Sequence, residues 1–264
     1  EMDPESHPEK LLESLHSDLV TNIVEELSYD DATDIVSQLS ESKRDEILDR
    51  IGGDEFAILL PNKDALQIQE NKEEIIKKGE AFLAYEWKVV TATNYLAYER
   101  TGARTVMEIP FNKNNEALMH LFLAEMTEGK GRFLDQIING VWHTCDMRTW
   151  VLSAHQPVQK TKRSLPNESE VIIDLTSGDI GSMLSWIHHF LAPEFDKVDP
   201  VIASRIRKEV KNRILDPYLE RSDYWWQALT GGPDRMVNNW NPWCNFNVLT
   251  AFLLMEEDKQ RLTD

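Results

Sequence analysis

Apolar residues fall at helical spacing along most of the chain. Near the start, Ile23-Val24-x-x-Leu27 returns as Ile35-Val36-x-x-Leu39 and again as Ile47-Leu48-x-x-Ile51, a repeat of twelve residues in which Thr21/Thr33 and Ser28/Ser40 keep register. Each unit supplies the i, i+1 and i+4 apolar positions of a short amphipathic helix, and Asp30, Asp31, Ser40 and Ser42 are suited to cap the units. The repeat predicts a stack of short helices. Further on, helical spacing predicts Glu73–Val90 from Ile75, Ile76, Phe82, Leu83 and Trp87, Ala117–Met126 from Leu118, Leu121 and Phe122, and Phe133–Trp142 from Leu134, Ile137 and Ile138. Three more predicted helices run from about Ile180 to Phe190, Pro200 to Leu215 and Asn245 to Glu257. Asp199 is placed to cap the helix that Pro200 opens, and Pro217 to close it. Only Val171-Ile172-Ile173-Asp174-Leu175 has the β-branched run of a strand, with buried loop as the alternative. The polar stretches Gln156–Ser169 and Thr230–Asn238 read as linkers. The whole predicts an all-α protein, with an acidic helical repeat at 1–56 ahead of a larger helical domain at 57–264.

Charge sharpens that boundary. The 264 residues carry 28 Lys+Arg against 46 Asp+Glu, a net charge of -18, with 41% hydrophobic residues. Residues 1–56 hold 4 basic against 17 acidic groups, a balance of -13, whereas 57–264 hold 24 against 29, a balance of -5. No basic cluster is longer than Lys160 to Arg163, which argues against a nucleic-acid partner. The longest apolar runs, such as Val248 to Met255, are far short of the roughly 20 residues that span a bilayer, and Glu1-Met2-Asp3-Pro4-Glu5 is not a signal peptide, so no membrane crossing is expected. Cys145 and Cys244 are too few for a disulfide framework and lie in no metal-ligand spacing.

The acidic head offers two kinds of chemistry. Asp30, Asp31 and Asp34 could converge on a hard cation such as magnesium, the alternative being an exposed acidic helix face. The repeat, with EELSYDDATDIVSQLSESKRDEIL, resembles the acidic cytoplasmic N domain of MgtE-type magnesium transporters, a resemblance that implies magnesium held on carboxylates. Next, Arg50-Ile51-Gly52-Gly53-Asp54-Glu55-Phe56 resembles the hairpin of the GGDEF diguanylate cyclases. A helical repeat stands where that family has its nucleotide-binding half, so no cyclase activity is expected. The alternative at Gly52-Gly53 is a helix stop followed by an extended segment.

The densest chemistry lies later. Seven of the eight tryptophans fall between Trp142 and Trp243, and Tyr224 to Asn245 packs four Trp and four Asn into about twenty positions. Amides fix hydroxyls and carboxylates directionally while indole rings cover the apolar faces of sugars. A Trp-rich core with turn-capping Asn is the alternative. The segment MVNNWNPWCNFNVLTAFLLME, together with SWIHHFLAPEFDKVDPVIASRIRKEVKNRILDPYL, EGKGRFLDQIINGVWHTCDMRTWVLSAHQP and FLAYEWKVVTATNYLAYERTGAR, resembles the heparinase II/III-like polysaccharide lyases over about residues 80–264. That resemblance implies an α/α toroid of antiparallel helix pairs and β-elimination at a uronic acid, with an Asn neutralising the substrate carboxylate. Asn239, Asn238 and Asn241 are the candidates, not separable by sequence. Trp226, Trp240 and Trp243 would be sugar platforms, and Trp142, His143, Trp150 and His155 would line the other side of the groove.

The resemblance also implies a Tyr-bearing motif after the Asn-rich run, so the toroid is expected to be incomplete, with lyase activity expected of the complete form and an inactive form as the alternative here. An acidic polysaccharide is the expected substrate and the periplasm or extracellular space the expected location; Lys160, Lys162 and Arg163 could offset the chain's negative charge in the groove. No cofactor is required, apart from magnesium at the head. A divalent-cation-sensing interaction module without enzymatic activity is the alternative. An apolar face of the last predicted helix, formed by Phe246, Leu249, Phe252, Leu253 and Met255, is expected to drive self-association.

Overall fold

A computed structural model describes residues 65–263 apart from 168 and 230–236, with side chains in the first helix from Asn71 onward; before them it describes only Leu15, His16, Leu19, Val20, Ser40 and Lys43. The chain divides into two compact units, Glu1–Asp64 and Ala65–Asp264. In the first, Val20 is buried in a helical segment and Lys43 Nζ donates to Leu15 O at 2.5 Å. The predicted stack of helices, the Gly52-Gly53 turn and Asp30, Asp31 and Asp34 lie outside the described residues.

The second unit is all-α, and no strand occurs among the described residues. It opens with α1 (Ala65–Glu80), α2 (Ala92–Thr101), α3 (Thr105–Glu128) and α4 (Leu134–Asp146). The predicted helix over Glu73–Val90 ends early, at Glu80, because the residues after it are held by side-chain amides rather than by helical bonds. Buried Asn114 of α3 donates to Lys88 O at 2.8 Å and accepts from Lys88 N at 2.9 Å. Trp87 donates to Gln136 of α4 at 3.1 Å, and its ring lies where a Cβ on Gly140 would stand, 2.3 Å away. Gly79 allows a similarly close approach, since a Cβ there would meet the Cβ of Ala124 at 2.3 Å. The helix α3 starts twelve residues before its predicted start and carries Pro110. Pro110 has no N–H for the carbonyl of Val106, and Asn94 Nδ2 donates to it instead at 3.2 Å, so the proline is tolerated. At the other end, Gly129 takes φ 67°, and buried Glu125 accepts from Gly131 N and Phe133 N to set the turn into α4.

The other half is built from α5 (Leu175–Val198), α6 (Val201–Val210), a π-turn over Lys211–Leu215, α7 (Asp216–Glu220), α8 (Trp240–Met255) and α9 (Lys259–Thr263). Asp199 Oδ1 accepts from Val201 N at 2.9 Å, the cap expected for α6. Pro217, by contrast, does not close that helix. It would clash with a carbonyl one turn back, and the chain widens into a π-turn, with Asp216 N bonded to Lys211 O, before continuing as α7. The strand candidate at 171–175 is a loop, buried from Ile172 to Asp174, that runs into α5 at Leu175: the carbonyls of Val171 and Ile173 accept from Tyr224 Oη and Trp226 Nε1, not from a neighbouring strand. The stretch read as a linker from Gln156 is an ordered loop wound around buried Gln159, whose amide bonds the backbone of Arg163, Leu165 and Asn167.

The helices α5 and α8 lie side by side and run the same way. Gly178 near the start of α5 faces Cys244 and Asn247 near the start of α8, and Glu257, just past the end of α8, acts on His188 further along α5. Ile180, Leu184 and Ile187 pack with Ile206, Val210, Ile214, Val248 and Ala251 in the core that holds these helices. The apolar face expected on the last long helix is divided: Phe252 and Met255 are buried, whereas Phe246, Leu249 and Leu253 are exposed. Among the described residues no helix is long and apolar enough to cross a membrane.

Candidate functional site

The parallel packing of α5 and α8 brings the starts of both helices to one place. Asp174 caps α5: it is fully buried, its Oδ1 accepts from Ser177 N at 2.7 Å, and its Oδ2 accepts from Leu152 N at 3.2 Å. The same Oδ2 bonds His155 Nδ1 at 2.7 Å. A carboxylate in that position fixes the imidazole tautomer with the proton on Nδ1 and leaves Nε2 as the unprotonated nitrogen. The ring of His155 packs edgewise on Trp240, centroids 4.7 Å apart, and Trp240 in turn meets exposed Trp225 at 5.1 Å.

One residue before Trp240, Asn239 leads into α8. It lines a shallow, open groove of about 460 Å³ together with Asp179, Pro242, Trp243, Phe246, Asn247 and Thr250. Trp243 Nε1 and Asn247 Nδ2 both donate to Asp179 Oδ1 at 2.6 Å, which fixes the indole plane and the amide in the groove wall. No acidic residue of α8 itself stands in its first turn, and the Asp179 carboxylate of α5 supplies the negative group beside it.

The three candidate asparagines separate by geometry. Asn238 Oδ1 accepts from Trp240 N at 3.1 Å and caps the helix start, while Asn241 Nδ2 donates to Trp226 O and Gln227 O at 2.9 and 3.1 Å. Only Asn239 among the three lines the groove. The tryptophans divide in the same way. Trp240 and Trp243 stand at the site, but Trp226 is buried against Tyr224 and Tyr218, and Trp150 is buried beneath the Arg213 guanidinium; neither offers a face to a ligand. Trp142 is exposed on α4, under Arg205. Arg163 is paired with Glu99 at 2.5 Å, and neither it nor Lys160 nor Lys162 lines the groove.

His143 belongs elsewhere, where Nε2 meets Asn114 Nδ2 at 3.1 Å and the ring stacks on Trp87. Burial lowers its proton affinity, and burial with the charge of Arg207 does the same to His188. Each has a folded-state pKa below the unfolded value of about 6.5, so each takes up a proton on unfolding, and its stabilisation is present above that pH and lost as pH falls. The thermal midpoint should therefore fall between about pH 7.5 and about pH 5.5, and fall less in His143→Gln. A midpoint that stays flat over that range would contradict the burial of these rings.

Other nucleophiles and bases are poorly poised. Burial pushes the Cys145 thiol up to about 12 and Cys244 higher still, and both are free and buried. Burial likewise raises Tyr95, with Asp174 nearby adding to the effect. Among the described residues no group of three or more His, Cys, Asp and Glu could hold a metal.

Comparison with known proteins bears on the other end of the chain. Residues 1–60 match the MgtE intracellular N domain. No curated protein matches the chain. The match spans the acidic repeat and stops before α1, so the groove lies outside it.

Sequence reasoning named Asn239, Trp240, Trp243 and His155 but missed Asp174 and Asp179. The signal for the first was present, since Asp174 followed at i+3 by Ser177 is a reciprocal cap ahead of an apolar run. Nothing local marks Asp179, whose two partners are 64 and 68 residues away in sequence.

Proposed function

We propose that the helical unit is part of a uronic-acid polysaccharide lyase of the heparinase II/III-like kind, built as helix pairs of an α/α toroid. The observation that carries this reading is the convergence of Asn239, Trp243 and Asn247 in one groove, with the His155–Asp174 pair reached through Trp240. Amides and indoles suit the hydroxyls and apolar faces of a sugar ring. In the reaction, the Asn239 amide bonds the substrate carboxylate and withdraws its charge, which acidifies the C5 proton. His155 Nε2 takes that proton, the C4–C5 double bond forms, the C4–O4 bond breaks, and the imidazolium returns a proton to the leaving O4. Asp174 stabilises the imidazolium between those steps. The substrate class is an acidic polysaccharide, and a lyase of this kind works in the periplasm or outside the cell.

The test is incubation with a panel of uronic-acid polysaccharides while following the ultraviolet absorbance of the conjugated product. A rise with at least one substrate is expected. Flat absorbance with every substrate, together with no binding, removes the reading.

A second reading is favoured by the family match at residues 1–60: a regulatory unit that senses a divalent cation through Asp30, Asp31 and Asp34. A cation that binds only the folded state at about 100 times its dissociation constant adds about 2.7 kcal/mol of stability. Millimolar magnesium should raise the melting temperature, and replacing the three aspartates by Asn should abolish the shift. An unchanged melting temperature in the wild-type chain rules out sensing.

A further inference from the structure

Three helices of the second unit carry exposed apolar rows. Met119, Leu123 and Met126 of α3 follow at i, i+4 and i+7, and Trp186 and Phe190 of α5 at i and i+4; all are exposed, as are Leu249 and Leu253 of α8, which stand outside the groove. The rows are joined, because Phe122 of α3 meets Phe190 at 6.3 Å, and Gly178 lets α8 close on α5. Residues 117–124, 180–193 and 240–255 contain no Asp, Glu, Lys or Arg, in a chain that is 28% charged.

We propose that this face is where two copies of the chain associate, about a twofold axis. Two observations select a second copy as the occupant. The first is area: with exposures from 36% at Met119 to 68% at Leu253, the seven side chains leave roughly 650 Å² in water, within the range of about 600–1,000 Å² that one partner buries in a standard stable interface. The second is charge. Two chains of net charge -18 repel over most of their surfaces, and a face built on the uncharged stretches of these helices lets them meet where like-charge pairs are fewest. A twofold arrangement lays the same face on itself, so ridges of Met, Leu and aromatic side chains fill the grooves between the partner's helices and the assembly closes at two.

Sedimentation velocity on the full chain tests this. Wild type should behave as a particle of twice the 30.6 kDa chain mass. Leu249→Asp and Leu253→Asp each place a carboxylate in a desolvated contact and should raise the dissociation constant about 100-fold or more. Both residues are exposed in the single chain, so helix content by circular dichroism should not change. Val89→Asp, an exposed apolar position outside these helices, should leave the dimer intact. The proposal is overturned by a monodisperse monomer up to about 100 μM, by a dimer indifferent to both α8 substitutions, or by a wild-type chain that binds lipid vesicles and forms no dimer in solution.

Discussion

Replacing Asp174 by Ala should destabilise the helical unit by about 4 kcal/mol, the range expected when one member of a buried charged network is removed. The side chain is fully buried and accepts three hydrogen bonds, from Ser177 N, Leu152 N and His155 Nδ1. Alanine leaves all three donors with no acceptor, strips the N-cap from the 24-residue α5, and releases the loop that carries His155. Asp174→Asn keeps the shape and one acceptor oxygen and should cost less, although it removes the charge that holds the His155 tautomer. Urea unfolding followed by circular dichroism reads both variants. A loss under about 1 kcal/mol for the alanine variant would mean that water replaces the carboxylate and that the cap is dispensable.

The second large effect concerns activity, and it rests on the lyase reading. Asn239→Ala should lower turnover about 1000-fold, which is what loss of a donor aimed at developing charge removes. His155→Ala should lower it by a similar factor through loss of the base, and the double variant should be little worse than either, because the two act on one transition state. The neighbouring asparagines make the contrast. Asn238→Ala should leave turnover within a few-fold and cost about 1 kcal/mol of stability, because its oxygen caps α8. Asn241→Ala should likewise act on stability, through the two carbonyls its amide holds. Equal losses of turnover at all three positions would remove the special role of Asn239.

Most of the helices were legible in the chain because each buries a long apolar stripe, and helical spacing reports that directly. The Leu134–Asp146 and Leu175–Val198 helices extend their predicted cores by a turn or more, since caps such as Asp174 act beyond the apolar stripe. The errors share one cause. Between Ala81 and Val90 the sequence keeps helical spacing, yet Asn114 and Gln136 bind its backbone carbonyls from α3 and α4 and override the local preference. At Pro217 a chain-breaking residue is absorbed by a wider turn, a choice made by packing and not by the residue itself. The candidate site was suggested by residue type, in the crowding of Trp and Asn. Which of those residues line the groove depends on partners distant in sequence: Trp226 and Trp243 look alike in the chain, but one indole bonds a buried carbonyl and the other a carboxylate in the groove wall.

The account turns on whether the groove at the start of α5 and α8 takes a uronate sugar. The indole N–H resonances of a ¹⁵N-labelled chain, titrated with a uronic-acid oligosaccharide and with a neutral oligosaccharide of equal length, report this without requiring turnover. The account predicts that the Trp243 and Trp240 signals move with the uronate sugar and much less with the neutral one, that Asn239→Ala reduces the response, and that the buried indoles of Trp150 and Trp226 stay in place. Shifts confined to Trp142 or Trp186, or no shift at any indole, would contradict it.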